Sequence, residues 1–79
     1  MHVTVKLFTT LTRFGQGEKA GTPFITELKQ DATLSDLVDL LKIPAEETRS
    51  MFVNGIIQEP DYRLRDKDEV GLFPPIGGG

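Results

Sequence analysis

The residues whose types and spacing suit chemistry lie together at the end of the chain, Phe73-Pro74-Pro75-Ile76-Gly77-Gly78-Gly79. Pro74 and Pro75 have no N–H to donate to a ladder, so a strand reaching Phe73 stops there. Two prolines also favour an extended conformation that carries the chain away from the body. Ile76 offers one apolar foothold. Gly77, Gly78 and Gly79 lack Cβ atoms and thread where any side chain would clash. Three such residues reach about 10 Å past Ile76. A terminal carboxylate has a reference pKa of about 3.3–3.7 and is ionised at neutral pH. In that state it is a poor electrophile. Adenylation with ATP makes it a mixed anhydride open to a sulfur or nitrogen nucleophile, and a glycine wire lets it enter a narrow active site while the body docks outside. Terminal glycines alone are often just flexible; joined to Phe-Pro-Pro-Ile at the end of a small strand-and-helix domain, they read as a working tail.

Little else in the chain suits chemistry. It has no cysteine, which excludes disulfides, thiolate metal sites and a cysteine nucleophile. His2 is the single histidine and reads as a solvent-facing residue at the start of a strand. Asp66, Asp68 and Glu69 are close in sequence but lack the ligand set of a calcium loop, and read as a solvated turn. Glu46 and Glu47 read as the acidic start of a helical turn. No metal site and no bound cofactor are expected. Nine basic against twelve acidic side chains give a net charge of −3. That balance disfavours nucleic acid and anionic membranes as partners, and favours proteins with basic docking surfaces whose encounter salt would weaken. No apolar run is long enough to span a bilayer and no signal-peptide pattern opens the chain, so a cytoplasmic location is the default.

The elements that must position the tail can be read from hydrophobic period. His2 to Leu7 alternates strictly, with Val3, Val5 and Leu7 on one face, the signature of a half-buried strand. Phe8, if it continues that alternation, lies on the opposite face from Leu7. Leu7, Leu11 and Phe14 fit a short helical turn, and 15–21 a loop. Pro23 to Lys29 reads as a second strand, paired with the first. Leu34, Leu37, Val38 and Leu41 form one helical stripe, and Thr33 with Asp36 fits a capping box. Pro44 is expected to stop that helix and to open a further turn through Glu47. Met51-Phe52-Val53, Asn54-Gly55 and Ile56-Ile57 form the strongest hairpin signal. A tight turn at Asp66-Lys67-Asp68 precedes a last strand, Glu69 to Phe73.

Strands in runs with one main helix predict an α+β fold, a mixed sheet covered on one face by the helix. A β-grasp arrangement fits this order, with the first and last strands adjacent at the centre. The single 79-residue chain divides into a β-grasp domain over residues 1–76 and a glycine tail over 77–79. The expected core is Val3, Val5, Leu7, Ile25, Leu34, Leu37, Val38, Leu41, Val53, Val70 and Leu72. Phe8, Phe14 and Phe52 are expected as core or rim packing. One of them joins Phe73 in an apolar docking patch, with Phe8 the better candidate because of its face.

The sequence resembles the small subunit of molybdopterin synthase, within the ubiquitin-like sulfur carriers that include the thiamine-pathway carrier. The resemblance covers essentially the whole chain. It is carried by Val3-Thr4-Val5-Lys6-Leu7-Phe8, by Ala32 to Val38, by Phe52-Val53-Asn54-Gly55, by Leu64 to Val70 and most specifically by Leu72 to Gly79. It implies a ubiquitin-like β-grasp fold and a carrier with no catalytic residues of its own. Gly79 would be adenylated by a ubiquitin-activating-type enzyme using ATP and magnesium, then converted to a thiocarboxylate by a sulfur donor protein. The molybdopterin synthase large subunit would receive the tail and pass sulfur to a pterin. Gly78 completes the double-glycine motif, and Gly77 stands where the family often has alanine. Phe73, Pro74 and Pro75 would set the exit direction. Three other readings stay open: a carrier that serves the thiamine thiazole or an amino acid, a ubiquitin-like modifier whose Gly79 is joined to a lysine of another protein, and a plain interaction module.

Overall fold

The computed structural model describes residues 1–8, 11, 14, 21–48 and 50–74. Its elements are β1 (His2–Leu7), β2 (Phe24–Glu27), α1 (Leu34–Leu40), a 3₁₀ turn (Ala45–Glu47), β3 (Ser50–Val53), β4 (Ile56–Ile57) and β5 (Glu69–Phe73). The five strands form one mixed sheet in the order β2-β1-β5-β3-β4. β1 and β5 run parallel at its centre, with Val5 opposite Val70 and Leu7 opposite Leu72. The other pairings are antiparallel. This is the α+β, β-grasp order that the alternation and the single helix predicted.

The core lies on one face of the sheet. Period-2 alternation delivers Val3, Val5 and Leu7 from β1, Met51 and Val53 from β3, and Val70 and Leu72 from β5 to the buried face, where α1 adds Leu34, Leu37 and Val38. Full burial of each such side chain stabilises by about 1.5–3 kcal/mol. Leu11, Leu28, Ala32, Ile43 and Leu64 complete the core from outside the regular elements. Leu41 is only partly buried against it. Ile25 is a correction: it is 67% exposed. It pairs with Thr4, whose face points away from the core, whereas Phe24 pairs with the buried Val5. A one-residue change in phase exchanges the two faces of a strand, and Phe24 and Leu28 are the inward residues of this segment.

The helix starts as its sequence dictates. The Asp36 N–H donates to Thr33 Oγ1 at 3.1 Å, and the Thr33 N–H donates to Asp36 Oδ2 at 2.9 Å. Its end differs from expectation. The Lys42 N–H donates to the Asp39 carbonyl and the Ile43 N–H to the Val38 carbonyl, with Lys42 at φ 61°. That is a Schellman motif with lysine in the position glycine usually takes, and Val38 and Ile43, the residues at its two ends, are both buried in the core. The helix therefore terminates before Pro44, and Pro44 flanks the 3₁₀ turn instead of standing at its first position. Of the expected turn at Leu7, Leu11 and Phe14, Leu7 belongs to β1; the Leu11 N–H donates to the Phe8 carbonyl at 3.1 Å, one 3₁₀-type bond.

The chain returns to β5 through a pinned turn. The Asp68 N–H donates to the Arg65 carbonyl, with Lys67 at φ 73° between them. Asp68 is 7% exposed, so the solvated-turn reading does not hold for it. Its carboxylate accepts from Asn54 Nδ2 at 3.0 Å and from the Arg65 N–H at 2.8 Å. Asn54 in turn accepts the Glu69 N–H at 2.9 Å. Asn54 and Gly55 both have positive φ, 52° and 84°, as a two-residue hairpin turn requires. The turn that joins β3 to β4 is thus clamped to the start of β5.

Candidate functional site: the outer sheet face at the base of the tail

The sheet face away from α1 carries the other half of each alternation. In one row across it lie Lys6, Gly71, Phe52 and Ile57, paired β1 to β5 to β3 to β4. In the next row Phe73 lies opposite Ser50, and Phe8 follows β1 with its N–H donating to the Leu72 carbonyl at 3.2 Å. The rings of Phe8 and Phe73 are parallel with centroids 4.3 Å apart. Contact between planes at about 3.5–4 Å then makes the stack offset by roughly 2 Å, the favoured arrangement. Phe52 meets Phe73 edge to face at 5.5 Å. Phe73 is therefore the hub of a three-ring cluster.

The rings surround a shallow apolar depression of about 350 Å³, lined also by Lys6, Gly55, Glu69, Val70 and Gly71. Gly71 is why it is hollow. A Cβ there would sit 3.6 Å from Phe8 Cε2 and 3.8 Å from Phe73 Cε1, in ordinary contact, so the missing side chain leaves space between the rings. Gly21 backs the same cluster at φ 77°, where a Cβ would come within 3.3 Å of Phe8 Cε1. Ile57, 61% exposed, extends the apolar surface to the edge of the sheet.

Of the expected site residues, the structure brings Phe8, Phe73 and Pro74 together. Phe73 ends β5 on the outer face and Pro74 follows directly, half-buried. Phe8 lies on the face opposite Leu7, as its alternation predicted. Pro75, Ile76, Gly77, Gly78 and Gly79 lie outside the described residues. Sequence reasoning ranked Phe52 behind Phe8 as a partner for Phe73; both touch it. It missed Gly71, Ile57, Lys6 and Glu69. The signal for the first was available: once Val70 and Leu72 face inward, Glu69, Gly71 and Phe73 must face outward together.

The charged side chains bordering the site are Lys6 and Glu69. Away from it, at the start of β1, Asp66 Oδ1 accepts the His2 N–H at 2.7 Å. That bond first, then the nearby amino terminus and the charges of Lys67 and His2, holds its carboxyl below the ordinary aspartate value. Asp66, Asp68 and Glu69 do not converge, because Asp68 is committed to Asn54 and Arg65. Among the described residues no group of three or more His, Cys, Asp or Glu side chains is placed to hold a metal ion. No helix among them is long and apolar enough to cross a membrane. What the face offers chemically is an apolar seat, with one cation and one anion at its margin, at the end of β5.

The ThiS family profile matches residues 5–79, from β1 through the last glycine. The chain belongs to the ThiS family. This ThiS-family chain is similar to several solved structures. SAMP1 from Haloferax volcanii, the small archaeal modifier protein 1, is 26% identical over the whole of both chains with a TM-score of 0.72. A putative molybdopterin converting factor subunit 1 from Pyrococcus furiosus is 27% identical, covering 96% of this chain and 99% of that one, with a TM-score of 0.73. In a complex of subunits 1 and 2 of molybdopterin-converting factor from Helicobacter pylori, a chain 21% identical covers 100% of each, with a TM-score of 0.63, and shares the fold. No curated protein matches the chain significantly. The fold is thus the ubiquitin-like β-grasp, and the chain is of the ubiquitin-like sulfur-carrier type.

Proposed function

We propose that this ThiS-family protein carries sulfur at Gly79 and serves as the small subunit of a molybdopterin synthase in the cytoplasm. The observation that carries the reading is continuity. β5 runs from the core through Phe73, the hub of the exposed ring cluster, into Pro74 and the glycine tail. A partner seated on the rings therefore receives the tail. In the first step the Gly79 carboxylate attacks the α-phosphorus of ATP, bound with magnesium in a ubiquitin-activating-type enzyme, and pyrophosphate leaves. The terminal sulfur of a donor protein's persulfide then attacks the acyl carbon and AMP leaves. A second thiol cleaves the resulting S–S bond, leaving a thiocarboxylate on Gly79 and a disulfide on the donor side. The large subunit takes the tail, and the thiocarboxylate sulfur passes to a pterin precursor as the dithiolene forms. The protein's own part is docking and delivery, and no side chain of it need act as acid, base or nucleophile. Likeness to the converting-factor subunit of Pyrococcus furiosus supports this pathway over a thiamine or amino-acid one.

The test is intact mass and C-terminal fragmentation after incubation with the activating enzyme, ATP and a sulfur source. Replacement of one oxygen by sulfur at Gly79, trapped by thiocarboxylate-specific alkylation, is expected. Fragmentation matters because oxidation of Met1 or Met51 adds nearly the same mass. An unmodified Gly79, with an enzyme proven competent on a known carrier, would overturn the proposal. A second reading, a protein modifier, is favoured by the full-length likeness to small archaeal modifier protein 1. It begins with the same adenylate but ends with an amide between Gly79 and a lysine amine. Isopeptide-linked remnants of the tail in cell extracts would mark it.

A further inference from the structure

We propose that the outer sheet face also receives a second copy of the same chain, forming a weak two-fold dimer that covers the ring cluster. The argument rests on charge placement. Lys6 lies opposite Gly71, and Glu69 lies two residues earlier on β5, opposite Thr4. With strands about 4.8 Å apart and a rise near 3.3 Å per residue, the two α-carbons are diagonal neighbours roughly 8 Å apart. Both side chains border the apolar depression. Among the described residues neither the Lys6 ammonium nor the Glu69 carboxylate has an ion-pair partner. A surface bearing one cation and one anion beside an apolar centre is its own complement. In a two-fold dimer, residue i meets residue j and j meets i. An axis in the interface plane, across the line from Lys6 to Glu69, places each Lys6 over the second copy's Glu69.

The same axis passes near Gly71 and Phe52, which sit in one row. The two Phe52 rings then meet over the hollow that Gly71 leaves, and apolar surface 61% exposed at Ile57 lies at the same margin. A partner of uniform charge fits this face less well, since it would satisfy Lys6 or Glu69 and repel the other. The face is small. Five strands of two to six residues give at most roughly 20 by 17 Å, about 350 Å² against the ~800 Å² per partner of a standard stable interface. The dimer is therefore weak, forming toward the millimolar range. Where the sulfur-carrier reading holds, dimer and activating enzyme compete for the same rings, so self-association withholds the tail; the dimer itself does not depend on that reading.

The experiment is sedimentation velocity on the full chain from 10 μM to about 1 mM, with Lys6→Glu, Glu69→Lys, the double exchange and an equimolar mixture of the two single variants. Folding of each is checked by circular dichroism. Wild type should move from monomer to dimer. Each single variant places like charges together twice and should dimerise at least tenfold more weakly. The mixture and the double exchange should recover wild-type association, because each restores both opposite-charge contacts. A wild type that stays monomeric throughout overturns the proposal even if no variant folds. Single variants that associate as well as wild type, or a mixture that recovers nothing, overturn this geometry. Failure of Gly79 to accept sulfur would leave these results untouched, so the two proposals fail separately.

Discussion

Replacing Phe73 by alanine tests whether the ring cluster is a preformed seat or three rings that happen to be near one another. Phe73 makes two ring contacts, the 4.3 Å stack on Phe8 and the 5.5 Å edge contact with Phe52. Phe8 and Phe52 each make one of them. A favourable aromatic pair contributes about 0.5–1.5 kcal/mol beyond area burial. Phe73→Ala should therefore cost about 2 kcal/mol from ring pairing, and Phe8→Ala or Phe52→Ala about half that, with a similar loss of half-buried area in all three. For a domain of this size 1 kcal/mol moves Tm by about 4–8 °C, so lost ring pairing alone should lower the melting of the hub variant by roughly 8–16 °C, and the lost area adds to this. Urea unfolding followed by circular dichroism measures the same quantity as a change in midpoint at constant slope. The pairing predicts an order, Phe73 first, and a deficit: the Phe8→Ala/Phe73→Ala double variant should cost less than the sum of its singles, by the energy of the shared stack. If Phe73→Ala costs no more than either neighbour, or if the singles add, the rings do not hold one another and the seat is not preformed.

Gly71→Ala should raise stability by about 0.5–1 kcal/mol, as relief of a strand glycine, because its Cβ fits at 3.6 Å from Phe8; the same methyl fills the depression, so calorimetric binding to the activating enzyme should weaken. Asp68→Ala should cost about 1–3 kcal/mol in urea unfolding, and less in an Asn54→Ala background, since the two share the 3.0 Å bond while the bond from the Arg65 N–H is lost in either background. Lys67→Gly should raise Tm by several degrees, as φ 73° costs a non-glycine residue about 1 kcal/mol and its side chain is exposed. Asp66 has a folded pKa below its ordinary value, set first by the His2 N–H. Its contribution is therefore present above the unfolded value near 3.9 and is lost as pH falls through the lower folded value. Asp66→Asn should be less stable than wild type at pH 7 and should converge with it in a melting series below about pH 4.

What was legible in the sequence was what local pattern determines. The alternation of β1 set which residues face the core, the Thr33–Asp36 pair set the helix start, and Asn54-Gly55 set a turn that only residues tolerant of positive φ make. Once β5 was placed by Val70 and Leu72, the outward position of Phe73 and its continuity with the tail followed. The rest depends on pairings distant in sequence. Ile25 and Phe24 are both apolar, so alternation alone did not choose between them; the pairing of Phe24 with Val5 does. Leu28, Ala32 and Leu64 lie outside strands and helices; the Leu28 N–H donates to the Met1 carbonyl, and Ala32 and Leu64 meet where the chain near Arg63 bridges back to Thr33. Asp68 looked solvated in sequence because its amide partner stands fourteen residues away. Alternation puts Gly71 on the outer face with Phe73, but its meaning, the space between Phe73 and a ring that follows β1, depends on a pairing distant in sequence.

Charge and contact act at different ranges on this molecule. The net charge of −3 belongs to the whole surface, whereas the seat itself is bordered by one cation, Lys6, and one anion, Glu69. Other acidic residues lie elsewhere, Asp36 and Asp39 on α1 and Glu46 on the 3₁₀ turn that follows. A basic partner is therefore drawn by a field that salt screens beyond about 8 Å at physiological ionic strength, but it is held by rings that salt leaves intact. The expected signature is a split: rising ionic strength should slow association of the activating enzyme while changing its dissociation rate little. Phe52→Ala, which alters the seat and leaves the net charge unchanged, should do the reverse. A dissociation rate that rises with salt as steeply as association falls would mean that the contact is ionic, and the apolar seat would then be the wrong surface.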